Sequence, residues 1–347
     1  MENLFGKTYN EIRGITDTLE LPGFTASQIS DWLYKKKVLT FDEMTNLSKK
    51  SKEALRGKYD LRFSPHSRVD ISVDGTRKYL FPAKSDRFIE SAYIPEKTRS
   101  TLCVSSQVGC KMGCLFCMTG KQGFQANLGT DEILNQVQLL PERDLLSNIV
   151  YMGMGEPMDN IQNVLKSTEI MTADYGYAWS PKRITVSTIG IIPAMQKFLE
   201  LSKCHLAISM HTPFEDERRN LMPIENIYPI HDVIQTVKKY DFSGQRRVSV
   251  EYIMFSGIND TVRHVNELAR LLNGLKCRIN LIRFHAIPDS PLRGSDDATI
   301  NLFMEKLNTK GITTTIRASR GQDIGAACGL LSTKAMLKKD NLANEDF

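Results

Sequence analysis

The spacing of hydrophobic positions changes character twice along this chain. Over Tyr9–Leu19 apolar residues recur at helical spacing. Pro22 and Gly23 then break the pattern, and Thr25–Gln28 reads as a capping box ahead of Ile29, Trp32 and Leu33, again at helical spacing. Lys35, Lys36 and Lys37 close that helix, where cations suit the negative end of its dipole. Leu47–Lys58 predicts a further short basic helix. From Arg68 the period becomes two: Val69, Ile71 and Val73 alternate with polar residues, Asp74-Gly75 turns the chain, and Arg77–Phe81 returns. That is the signature of a β-hairpin. Phe88–Ile94 predicts another strand with a carboxylate, Glu90, inside its apolar run. Such a group lies on an exposed face or is kept for chemistry.

Beyond residue 100 strand-like and helix-like segments alternate. Strands are predicted over Leu102–Ser105, Asn148–Met152, Arg183–Ser187, His205–Ser209, Arg247–Met254, Arg278–Ile282 and Thr313–Arg317. Helices are predicted over Asp131–Leu140, Ile161–Ala173, Ile191–Leu201, Ile230–Tyr240, Thr261–Leu272 and Ala298–Asn308. This alternation means parallel βα units. Six or so units predict an α/β fold of the partial (β/α)6 barrel type. The domain reading is a helical accessory segment over 1–65, a β-hairpin extension and linker over 66–98, the barrel over 99–338 and a polar tail over 339–347.

Composition changes this picture little. With 347 residues, 41% hydrophobic and 24% charged, the chain reads as globular. Its N-terminus is acidic and amphipathic rather than basic and then apolar, so a cytoplasmic protein is expected, with no membrane partner. A net charge of +5 permits an anionic partner without demanding one. The seven cysteines are odd in number and unevenly placed, four of them between Cys103 and Cys117, which argues against a disulfide framework.

Those cysteines carry the candidate chemistry. Cys110, Cys114 and Cys117 stand in a C-x₃-C-x₂-C spacing marked by Gly113, which favours a loop wrapped around an ion or cluster. Soft thiolates select zinc or an iron–sulfur cluster. A structural zinc wants four ligands, the nearest histidine downstream is His205, and Cys103 lies seven residues upstream. Buried reduced thiols are the bland alternative. A [4Fe–4S] cluster with one open iron fits the triplet best. One βα unit later, Met152–Pro157 follows a strand as Met-Gly-Met-Gly-Glu-Pro, a loop that a ligand can approach closely and in which Glu156 can accept from an amine.

The triplet followed by Gly-Glu-Pro after the next strand resembles the radical S-adenosylmethionine superfamily. Cys103–Cys110, Met152–Pro157, Val186–Thr188, Ala207–His211, Ile279–Ile282 and Ala326–Gly329, in that order, are similar to the RlmN/Cfr family of RNA methyltransferases. The resemblance covers about residues 85–335, and only loosely the first 65. It implies that Cys110, Cys114 and Cys117 hold one [4Fe–4S] cluster and that S-adenosylmethionine, two per turnover, binds its open iron. Gly155 and Glu156 would touch the methionine amine, and Ser187, Ser209, Met210, His211 and His285 would line the rest of the cofactor. His285 stands where many relatives carry Asn, and a neutral imidazole still donates one hydrogen bond.

The resemblance also implies a covalent relay. Cys328 would take a methyl group, a radical formed on that methyl would add to adenosine C2, Glu90 would accept the C2 proton, and Cys103 would release the product through a transient disulfide with Cys328. The implied partners are 23S rRNA, tRNA and an electron donor such as flavodoxin or ferredoxin. Methylation at C8, as in the Cfr branch, is the alternative. From the residues alone, Cys204 and Cys277 read as core, and Lys35–Lys37, Lys49, Lys50, Lys52, Arg218, Arg219, Arg246, Arg247, Arg317 and Arg320 are candidates for holding phosphates.

Overall fold

A computed structural model describes residues 1–333; the polar tail and the last five residues assigned to the barrel lie outside the described residues. Ten strands make one sheet. In chain order they are β1 (Arg68–Ile71), β2 (Arg77–Ala83), β3 (Arg87–Pro95), β4 (Ser100–Cys103), β5 (Asn148–Tyr151), β6 (Ile184–Thr188), β7 (His205–Ser209), β8 (Val248–Met254), β9 (Cys277–Arg283) and β10 (Thr314–Ile316). Spatial order follows chain order throughout. The hairpin β1–β2, then β3 and β4, run antiparallel. From β4 to β10 every pairing is parallel. The helices between them are α4 (Thr130–Gln138), α5 (Ile161–Thr172), α6 (Ile192–Leu201), α7 (Ile230–Lys238), α8 (Val262–Leu272) and α9 (Asp297–Thr309). The βα rhythm and the barrel are as predicted, with the short β10 closing the parallel run.

The two faces of the parallel sheet differ. Val186, Leu206, Ile208, Val250, Tyr252, Ile279 and Leu281 are fully buried in the main hydrophobic cluster with the helices. Each such side chain stabilises the fold by about 1.5–3 kcal/mol. The alternate positions are small or polar. Register sets Thr185 beside His205, Ser187 beside Ala207, Ala207 beside Ser249, Ser209 beside Glu251 and Glu251 beside Asn280. Closed barrels fill that face with branched apolar residues; here it bounds a cavity.

The N-terminal helices are α1 (Tyr9–Thr18), α2 (Thr25–Ser30) and α3 (Lys49–Arg56). They share the main core: Leu4, Phe5, Ile12 and Leu33 belong to the same buried cluster as Tyr79 and Leu134. One expectation about this region needs correction. Thr25 caps nothing: α2 begins after Phe24 without a side-chain cap, and Thr25 is buried inside it. The reciprocal capping box lies earlier, between Thr8 and Glu11, where Thr8 has extended backbone and can turn its hydroxyl onto the first turn of α1.

Candidate active site

The three-cysteine segment is a loop, held from several sides. Cys110 N–H donates to Gly123 O (3.2 Å), Leu115 N–H to Leu221 O (3.0 Å) and Met118 N–H to Gly329 O (2.8 Å). Gly109 is indispensable to this path: its φ is +72°, and a Cβ there would sit 1.7 Å from Gly123 O. Phe116 packs edge-on to His211 with ring centroids 4.7 Å apart, and against Phe255.

Cys110, Cys114 and Cys117 line one cavity of about 700 Å³ on the inner face of the sheet. Burial pushes the Cys110 thiol up to about 12 and Cys114 well above its ordinary value, and each neighbouring thiolate raises it further. Three such thiols ionise together only beside strong positive charge, as a bound metal supplies. A structural zinc closes on four protein ligands, and the loop supplies three thiols to the cavity. A cubane cluster spreads its three thiolates over three irons, so the donor set fits a cluster better than mononuclear zinc.

The loop after β5 forms the next wall. Gly155, at φ +97°, lies so close to Gln107 that a Cβ would stand 2.5 Å from that side chain. Gln107 in turn accepts from Glu156 N–H (2.8 Å). The Glu156 carboxylate accepts from Met158 N–H (3.0 Å) and Ile189 N–H (3.1 Å), tying the loops after β5 and β6 together. Burial raises it to about 7 against the hydrogen bonds that lower it, so a cationic amine in the cavity would find a carboxylate ready to ionise.

Ser187, Ser209, His211 and His285 also line the cavity. His211 has φ +62°, uncommon for a side chain of its size. Its Nδ1 accepts from Ile253 N–H (3.0 Å), and burial with Arg218 nearby holds it down to about 3. The ring is therefore neutral, with Nε2 carrying the proton. His285 Nε2 lies 3.0 Å from Ser319 Oγ.

Cys328 is exposed on the same cavity, and Cys103 is buried on it. Ala326 packs on Cys103 and Ala92, bringing the small-residue turn that carries Cys328 onto the end of β4. Burial pushes the Cys103 thiol up to about 12, a Cys328 thiolate would raise it further, and Arg317 opposes both.

Two predicted site residues are not on the cavity wall. Met210 is fully buried; its N–H donates to Glu251 O (3.1 Å) and its carbonyl accepts from Arg218 Nε (3.2 Å). Glu90 is only 1% exposed, not a solvated strand carboxylate. It pairs with Lys78 Nζ (3.0 Å), and its Oε2 accepts from Ser332 N–H (2.9 Å). Burial raises its pKa and Lys78 pulls it down.

Several candidate phosphate-holding cations are already committed. Arg218 is fully buried, paired with Glu225 and bonded to the carbonyls of Ile189 (2.7 Å), Ser209 and Met210. Arg246 donates to the carbonyls of Phe198, Leu199 and Cys204. Arg317 pairs with Glu251 (3.2 Å) inside the cavity. Lys36 lies 3.6 Å over the Trp32 ring, and Lys37 pairs with Asp144. Glu251 and Gln107 went unnoticed in the sequence, where each is a lone polar residue. Cys204 and Cys277 belong to the core as expected.

The chain is 56% identical to a probable dual-specificity RNA methyltransferase RlmN of Parabacteroides distasonis over 95% of its own length and 96% of the relative's. The chain belongs to the RlmN family. A Bacteroides fragilis relative of the same description is likewise 56% identical over the same shares, and a Syntrophus aciditrophicus RlmN is 41% identical over 97% of this chain and 98% of the relative. Residues 104–272 match the radical SAM superfamily, and residues 2–60 match the ribosomal RNA large subunit methyltransferase N-terminal domain. A radical SAM methyltransferase from Sphaerobacter thermophilus superposes with a TM-score of 0.88 at 36% identity, over 95% of this chain and 99% of that one. Members of the RlmN family are radical SAM RNA methyltransferases, and the radical SAM superfamily works with a [4Fe–4S] cluster and S-adenosylmethionine.

Proposed function

We propose that this RlmN-family chain methylates C2 of an adenosine in 23S rRNA and of an adenosine in tRNA, through Cys328 as methyl carrier and Cys103 as resolving thiol. The observation that carries the reading is the packing of Ala326 on Cys103, with Cys328 on the same cavity as the three-cysteine loop. Cys110, Cys114 and Cys117 would hold the cluster. Gly155, Glu156, Ser187, Ser209, His211 and His285 would surround S-adenosylmethionine, and Met210 would support them from behind. The cluster and cofactor, when bound, supply the methyl group and the one-electron chemistry, fed by a flavodoxin- or ferredoxin-type donor. The helices of residues 1–65 would add RNA-binding surface.

In the residues' own chemistry, Cys328 carries the methyl carbon as a thioether into reach of the base. Its neighbours Gly325, Ala326, Ala327 and Gly329 leave that sulfur unscreened. Glu90 takes the C2 proton. Its Oε2 is now occupied by Ser332 N–H, so that role requires the segment after Cys328 to shift. Cys103, giving up its proton, then attacks Cys328 Sγ; the S–S bond forms while the S–C electron pair leaves with the methylene carbon, which takes up one proton to become the methyl group.

The deciding experiment maps the methyl group on RNA from a deletion strain with and without this chain. C2-methyladenosine is expected to return with the chain, and a C8 product would overturn the reading. Cys114→Ala is expected to abolish visible iron–sulfur absorbance after anaerobic reconstitution and to stop turnover; unchanged turnover would remove the cluster assignment. Glu90→Gln is expected to slow turnover by about 10²–10⁴-fold, the range for a lost general base, with RNA-linked protein accumulating in single-turnover assays. Normal turnover would remove Glu90 from the reaction.

A further inference from the structure

The cavity does not end at the cysteines. It runs along the inner face of the sheet to the opposite, N-terminal edge of the strands, where Arg99, Lys182, His205, Arg247 and Arg278 line it. These residues lie within two positions of the first residue of a parallel strand. Arg99 precedes β4, Lys182 precedes β6, His205 opens β7, Arg247 precedes β8 and Arg278 is second in β9. Arg99 is paired with Glu96 (2.6 Å). The charged groups of Lys182, Arg247 and Arg278, among the described residues, have no ion pair or hydrogen bond. Lys182 and Arg247 are exposed and Arg278 half-buried, so three unpaired cations around one opening set up a local positive field that attracts an anion. His205 reports the same field: burial and then Arg247, Arg278, Arg246 and Lys182 hold it down to about 4.

We propose that this cationic mouth is a binding site for the phosphodiester backbone of a single-stranded RNA segment, whose target nucleotide enters the cavity from the N-terminal edge. The inference rests on the function proposed above and gives that site its entrance. Register supports the route. Arg247 stands four residues, about 13 Å along an extended strand, from Glu251, which holds Arg317 beside Cys103 and Cys328. From rim to Glu251 the wall carries Thr185 beside His205, then Ser187 and Ser249, then Ser209 and Asn280 level with Glu251, polar groups set among the apolar Leu206, Val248 and Ile253 that give a passing base both hydrogen-bond partners and flat apolar contact. Enzymes that act on a base must take it out of its stack, and a bore of mixed polarity with cations at its rim suits a base swung inward while its phosphates stay outside. An acidic electron-donor protein is the other polyanion to consider. It needs access to the three-cysteine loop, and that loop lies at the opposite edge of the sheet.

The test uses the full chain, reconstituted anaerobically, and a fluorescein-labelled RNA stem-loop with an unpaired adenosine, with affinity read by anisotropy across a salt series. The variant is Arg247→Gln/Arg278→Gln. The control is Arg270→Gln/Lys310→Gln, which removes the same charge from exposed positions on and after the outer helices. Melting curves and iron–sulfur absorbance establish that both are folded and loaded. The mouth variant is expected to bind RNA about tenfold more weakly, with a salt slope smaller by about 1.4, as for two lost contacts to a single strand; the control is expected to keep both values. Equal losses in both variants, or none in the mouth variant, overturn the proposal. So does slower turnover with a protein reductant but not with dithionite at unchanged RNA affinity, which assigns the mouth to the electron donor. A native chain that neither binds nor methylates RNA sinks the proposed function as well. A native chain that does both, beside an unaffected mouth variant, sinks the entrance alone.

Discussion

Cys103→Ala is expected to leave the protein covalently attached to RNA. In the relay proposed for Cys328, every bond that forms before release is independent of Cys103, so the substrate is captured normally. Release needs a second sulfur within reach of Cys328. Ala326 packs directly on Cys103, and the other lining thiols belong to the triplet that would be bound to iron. Alanine removes the attacking sulfur without adding bulk. The adduct should be recovered from cells as protein that carries a ribonuclease-resistant nucleotide, seen as a mass increment on the peptide containing Cys328. The double variant Cys103→Ala/Cys328→Ala should carry none. A Cys103→Ala protein free of RNA and turning over at the native rate would end the relay reading while leaving the radical SAM assignment intact.

The largest effect on stability is expected at Arg218. This guanidinium has no solvent contact, and three backbone carbonyls and one carboxylate consume its donors. It connects the loop after β6, at Ile189, to the end of β7, at Ser209 and Met210, and to Glu225 beyond. Arg218→Met is expected to lower the unfolding free energy by about 3–5 kcal/mol, because it strands a buried carboxylate without its partner. Glu225 also accepts from Ile230 N–H (3.0 Å), a bond that glutamine can keep. Arg218→Met/Glu225→Gln should therefore be more stable than Arg218→Met alone. Urea unfolding followed by circular dichroism reads both values. A single variant within 1 kcal/mol of the native chain on the measured scale would show that the pair is dispensable. Cofactor affinity should fall together with stability, since Ser209 and the neighbouring His211 line the cavity.

Particular residues show how much was legible in advance. All seven parallel strands were marked by short apolar runs between turn residues, and the six helices by their 3.6-residue period; both signals are local and survive without tertiary context. The triplet at 110, 114 and 117 was legible for the same reason, since ligand spacing within eight residues is limited by the reach of the chain itself. Glu90 was not. Its neighbours permitted either an exposed or a buried carboxylate, and the choice depended on Lys78 across the hairpin and on Ser332, 242 residues away. The cations were misjudged in the same way. Arg218, Arg246 and Arg317 look as free in sequence as Arg247, yet three of the four have their donors engaged inside the fold.

The chain's own sequence determined the βα order, the barrel class, the loop that gathers three thiols and the family to which these belong. The first three follow from periodicity or from spacing along the covalent chain; the family follows from the resemblance of its ordered motifs. Only the tertiary structure decided that Cys328 and Cys103 line one cavity, that Glu90 is sealed under Ser332, and that the inner face of the sheet bounds a bore of mixed polarity with a cationic rim. Those outcomes depend on which polar groups lose water and which find partners across the sheet. Burial and pairing are properties of three-dimensional proximity, and the same residue types carry no mark of them when read in order.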